Sequence, residues 1–170
     1  MKTLKSSEEF VEGKNDIVWI GSNFKEHFHG LTFNESPSKG LKTRVLGKQM
    51  NATKILSELR PEPVSLGDVL AALKTLDKSG WYIFYVEDMD DELWAVYADW
   101  LAAYGGWGVG ASSVADPSRW NAVYQVVSRR FSDTKKQTLS PSDTLSLEKR
   151  IEALEQWRDD MRKALIGLAD

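Results

Sequence analysis

Residues 80–114 read "GWYIFYVEDMDDELWAVYADWLAAYGGWGVGASSV". Within this stretch "GWYIFYVED" and "ELWAVYADW" are β-branched and aromatic runs flanking the polar "DMDD", so they are expected to pair as an antiparallel hairpin. Gly105 and Gly106 can supply the positive φ angles of a second tight turn, after which "WGVGASSV" returns as a third strand. Gly108, Gly110 and Ser112 leave one face of that strand bare, so a bulky aromatic neighbour or a ligand is expected to lie across it.

Upstream of the meander the pattern turns helical. In "SLGDVLAALKTLDKSG", Ser65 and Asp68 stand at capping-box spacing and Leu66, Val69, Leu70, Leu73 and Leu76 form one stripe before Gly80. "NATKILSELR" places Ile55, Leu56 and Leu59 on one face behind an Asn51 cap, and Pro61 and Pro63 end it. Earlier still, "SSEEFVEG" reads as a short helix stopped by Gly13, "NDIVWIG" as a buried strand and "LKTRVLGKQ" as a further strand. Downstream, "NAVYQVVSR" is a fourth strand set apart by the turn "ADPSRW".

This order of elements gives an α+β class: short helices packed on an aromatic-rich antiparallel β-meander, followed by a C-terminal coiled-coil helix. The division expected is an α+β globular head over 1–131, a linker over 132–144 and the helix over 145–170. The linker follows from "SDTKKQTLSPSDT", which is rich in Ser, Thr and Lys and nearly free of apolar side chains.

The tail, "LSLEKRIEALEQWRDDMRKALIGLAD", carries the most specific pattern in the chain. With Ile151 at heptad position a, Leu147, Leu154, Met161 and Leu168 fall at d and Leu165 at the last a, with Arg158 as the polar intruder. "RIEALE" resembles the short trimerisation motif of coiled coils, in which an arginine at g pairs with a glutamate at e of the neighbouring helix. Here Arg150 and Glu155 hold those positions, and the resemblance covers six residues. It implies a homo-oligomer, with a trimer favoured over a dimer.

Composition restricts the function classes. The chain has 170 residues, 42% of them hydrophobic and 28% charged, which suits one well-cored domain with an appendage. Zero cysteines exclude disulfides, thiolate zinc sites and cysteine nucleophiles. No apolar run approaches the roughly 20 residues of a membrane span. The acidic N-terminal stretch also lacks the apolar segment of a signal peptide, so a soluble, cytoplasmic protein without membrane contact is expected. Residues 81–130 carry 3 Lys or Arg against 7 acids. A nucleic-acid binder needs a basic stripe for phosphate neutralisation, and none is present, so nucleic acid is disfavoured as a partner.

The candidates for chemistry are few. His27 and His29, in "FKEHFHG", are the only two histidines. On a strand they would share a face with Glu35 within reach, as in a divalent-metal site. As a helix from Ser22 to Gly30, the same stretch sets Phe24 and Phe28 on one face and turns the histidines about 200° apart. Caps at both ends favour the helix, with solvated histidines and no metal. In "EDMDDE", Asp88, Asp90 and Glu92 alternate as at the start of a calcium loop, but Leu93 replaces the required glycine, so a polar hairpin tip is the better account. Neither catalytic residues nor a cofactor site can be assigned.

The aromatics supply the binding candidate. Trp81, Trp94, Trp100 and Trp107 are the residues expected to make an aromatic face for a ligand, a protein or peptide in the first instance. The function expected is therefore a non-enzymatic, self-associating binding or adaptor module. The alternatives are a small enzyme or metal-dependent protein with a carboxylate and histidine pocket, and a single-stranded nucleic-acid binder using exposed aromatics.

Overall fold

The computed structural model describes residues 2–132 and 152–163. The chain divides into two compact units, Met1–Asp133 and Thr134–Asp170. The first unit is an α+β fold. Its elements are β1 (Thr3–Lys5), α1 (Ser6–Glu9), β2 (Ile17–Ile20), α2 (Ser22–Phe28), β3 (Thr32–Asn34), β4 (Lys42–Val45), β5 (Met50–Asn51), α3 (Ala52–Glu58), α4 (Leu66–Leu73), β6 (Trp81–Glu87), β7 (Leu93–Leu101), β8 (Gly106–Ser113), β9 (Arg119–Trp120) and β10 (Gln125–Ser128).

The meander forms as its alternation predicts. Trp81 pairs with Asp99 and Glu87 with Leu93 across the first hairpin, while Trp94 pairs with Ser113 and Leu101 with Gly106 across the second. The second turn is longer than a Gly-Gly hairpin. It occupies residues 102–105, closes with Gly105 N–H donating to the Leu101 carbonyl at 2.9 Å, and needs positive φ only at Gly105. Gly106 already lies in β8, where a Cβ would strike Val18 and the Asp16 carbonyl of the neighbouring strand.

The sheet extends beyond the meander in a way its periodicity did not reveal. Its order is β2-β8-β7-β6-β10-β4, with β2 parallel to β8 and β10 parallel to β6. The sheet is thus mixed rather than wholly antiparallel. β10 does not continue the meander beside β8 but crosses to its opposite edge, where β4 completes the sheet.

Each sheet face buries a core. Even-numbered residues of β6 and β7, with Trp107, Val109 and Ala111 of β8, pack against Phe10, Phe24 and Phe28 and against Leu66, Val69, Leu70 and Leu73 of α4. Ile83, Tyr85, Ala95 and Val126 on the other face pack against Leu46, Met50, Ala52 and Ile55. The caps of α3 and α4 are the ones expected from sequence, whereas α1 and α2 begin after Lys5 and Gly21 with no side-chain cap, and the C-cap of α2 is His29 rather than Gly30. Asn51 accepts from Lys54 N–H at 2.9 Å at the start of α3, and Ser65 and Asp68 exchange hydrogen bonds of 3.1 Å at the start of α4. Asp68 also accepts from Arg129 at 2.6 and 2.9 Å, and Arg129 donates on to the carbonyls of Pro37 and Lys39.

In the second unit, residues 152–163 form a helix, α5. Among the described residues no helix is long and apolar enough to cross a membrane. The stretch read as a linker, apart from Ser132, and Leu147, Arg150, Ile151, Leu165 and Leu168 of the heptad pattern lie outside the described residues.

Candidate ligand-binding face

Strand alternation separates the four tryptophans picked from the sequence. Trp94, Trp100 and Trp107 point to the face covered by α2 and α4, and Trp81 points to the other. Trp107 is 1% exposed, donates its indole N–H to the Leu73 carbonyl at 3.1 Å, and meets Trp100 edge-on with ring centroids 5.4 Å apart. Trp94 is also buried. Its indole N–H donates to Asp88 Oδ2 at 2.9 Å and His27 stacks on it at 4.0 Å. These side chains build the core, since an indole buried with its N–H satisfied contributes area without strain.

His27 and His29 lie on and just after α2 and turn to different partners. His27 Nδ1 is 3.3 Å from Asp88 Oδ2, and His29 Nε2 is 3.0 Å from the Phe10 carbonyl. His27 is therefore packed against the hairpin rather than solvated. Asp88 itself is the buried centre of the hairpin tip and accepts from the N–H groups of Asp90 and Glu92 at 2.8 and 2.9 Å. Burial pushes its carboxyl up, but these hydrogen bonds, the Trp94 indole and the neighbouring His27 outweigh burial and hold it below the ordinary value. Among the described residues no group of three or more histidine or acidic side chains is placed to hold a metal.

On the opposite face Trp81, 39% exposed, begins an arc of aromatic rings that sequence spacing did not assemble. Tyr124 stands 5.2 Å from Trp81, Trp120 is 5.1 Å from Tyr124, and Tyr97 is 5.4 Å from Trp120. Trp81 and Tyr97 come from the meander, while Trp120 comes from β9, held by pairing with Met50 of β5. Tyr124 immediately precedes β10. The bare strip on β8 serves this arrangement: a Cβ on Gly110 would overlap the Tyr97 ring, so glycine lets that ring lie flat on the sheet.

Asp99 lies directly across from Trp81 and two residues from Tyr97, on the same face of the sheet. Burial alone raises its carboxyl above the ordinary value. Burial and the Asp99 charge raise the phenol of Tyr97, and burial, Asp99 and Tyr97 raise that of Tyr124, so both are neutral donors at physiological pH. Beside the arc opens a pocket of about 300 Å³, lined by Tyr97, Trp120 and Tyr124, by Ser112 and Ser113, and by the exposed Asp116 and Arg119. Hydrogen bonds from the Ser118 side chain and backbone hold Asp116 below the ordinary carboxyl value.

A larger cleft of about 470 Å³ lies between β1, β3 and α4, with Leu4, Phe33 and Leu70 in its walls and both lysines and glutamates at its rim. Its best-defined polar contact is internal, Lys14 to Glu9 at 2.9 Å. The aromatic pocket, with convergent rings, hydroxyls and the Asp116 carboxylate, is the stronger candidate for a ligand site. No family model, no curated protein and no solved structure matches this chain.

Proposed function

We propose that this protein is a non-enzymatic binding module that self-associates through its C-terminal helix and presents several copies of the aromatic face around Trp81 and Tyr97. The observation that carries the reading is the apolar stripe on α5. Leu154 and Met161, seven residues apart and hence two turns along one side of the helix, are exposed together with Trp157. Leu154 is 66% and Trp157 63% exposed, an amount of apolar surface that a short helix retains when a partner is to cover it. Joining heads in this way turns weak recognition at each pocket into useful avidity.

The heptad pattern supports a second copy of the same helix as the partner, and the Arg150 and Glu155 placement supports three helices over two. A protein or peptide is the class of ligand proposed for the heads. The test replaces Ile151 and Leu154 together with Asp and compares sedimentation of the variant with that of the parent chain. The variant is expected to sediment as a folded monomer with unchanged near-ultraviolet circular dichroism from the head. Equal sedimentation of the two proteins would remove the helix from the account.

A further inference from the structure

We propose that the pocket formed by Tyr97, Trp120 and Tyr124, with Asp99 beside the rings and Asp116 at the rim, takes an organic cation of the alkylammonium class. This rests on the reading of that sheet face as the ligand-binding face and names the chemistry it selects.

Ring geometry supplies the first argument. Successive rings of the arc are inclined by 47°, 63° and 55°, so they do not form the flat platform on which a sugar or base stacks. Inclined rings present several π faces and edges to one compact volume, which suits a roughly spherical group. A cation placed over such faces is attracted by the ring quadrupoles, more strongly the drier the site.

Charge supplies the second. Asp99 is half-buried, and no hydrogen bond or cation among the described residues offsets the cost of its burial. A half-buried carboxylate in that state gains from a cation brought near it. Gly108, opposite it, lets the Leu101 side chain and the Asp99 carboxylate lie close to the sheet, since a Cβ there would stand 3.0 Å from Leu101 Cδ1 and 3.5 Å from Asp99 Oδ1. Asp116 is the one carboxylate that lines the pocket itself, where Arg119 is the one cation, and the charge of Asp99 acts on the site through its nearness to Tyr97 and Tyr124. Tyr97 and Tyr124 add hydroxyls, and the pocket volume of about 300 Å³ is ample for a trimethylammonium group and the first atoms of its chain.

The test uses the full chain and follows the tryptophan indole N–H resonances while probes are added. The probes are choline, its uncharged isostere in which a tert-butyl group replaces the trimethylammonium, and a short glycine-flanked peptide carrying one trimethyllysine. The expected result is that choline shifts the Trp120 indole signal with an affinity at least about tenfold above that of the isostere, the ratio produced by ~1.4 kcal/mol of charge-specific attraction. Asp99→Asn should abolish that ratio while leaving the spectrum of the fold intact, and Arg119→Ala should tighten choline binding. A peptide that binds more tightly than choline identifies the cation as one borne on a polypeptide, and the reverse order identifies a small molecule. Equal binding of choline and the isostere overturns the cation proposal while leaving an aromatic binding face in place. No binding of any probe overturns the cation proposal as well. Neither outcome bears on self-association, which sedimentation measures separately.

Discussion

At the residue scale Asp88 shows how a side chain that resembles a metal ligand in sequence becomes a structural keystone. Its carboxylate gathers two backbone N–H groups, the Trp94 indole and His27 into one buried cluster. Because these partners depress its pKa, the stability it contributes is fully present above the ordinary value of 3.8 and is lost as the pH falls through the lower folded-state value. Asp88→Asn keeps the shape but removes the charged acceptor, so a loss of about 1 to 3 kcal/mol is expected in urea unfolding at neutral pH. The variant should also lose less stability than the parent as the pH falls below 3.8, because the group that titrates there is gone. An unchanged acid limb would assign that limb to other carboxylates. Tryptophans divide in the same way. Trp107→Ala empties a fully buried site and should cost about 3 to 5 kcal/mol, whereas Trp81→Ala at the exposed edge should cost well under half of that while weakening ligand binding.

At the element scale local chemistry was legible and partner choice was not. The capping box of α4 is written in Ser65 and Asp68 three residues apart, and the stripe from Leu66 to Leu73 fixes which side is buried. Ser65→Ala should therefore lower stability by about 1 kcal/mol, read as a shift of the urea midpoint without a change of slope. The two hairpins were readable because their turns are polar or glycine-rich and their strands adjacent in sequence. β10 and β2 were readable as strands, but their parallel pairing with β6 and β8 depends on distant chain segments that no local period encodes. The aromatic arc was hidden for the same reason. Trp81 was visible, but its neighbours Asp99, Tyr124 and Trp120 follow from register and from the β5 and β9 pair. Grouping Trp81 with Trp94 ignored that like-numbered parity shares a face across the first hairpin, where Trp81 meets Asp99 and Trp94 meets Val86.

At the scale of the whole molecule the contact pattern sets Met1–Asp133 apart from Thr134–Asp170. Both described cores are composed of residues from the first unit. Removal of residues 134–170 should therefore leave a head that unfolds cooperatively, with a melt that denaturant or heat follows as a single transition. An isolated helix as short as α5 is marginal in water, which favours the proposed burial of its apolar stripe by partners. In the proposed self-association, other copies of the tail cover Leu154 and Met161, and Arg158 in the heptad seam would limit affinity, since its guanidinium must reach the rim on its own stem. Light scattering on the intact chain at several concentrations through the micromolar range tests this most directly. Three-helix association predicts a particle mass that rises with concentration to three times the 19.2 kDa of one chain; a mass that stays at 19.2 kDa throughout would contradict it.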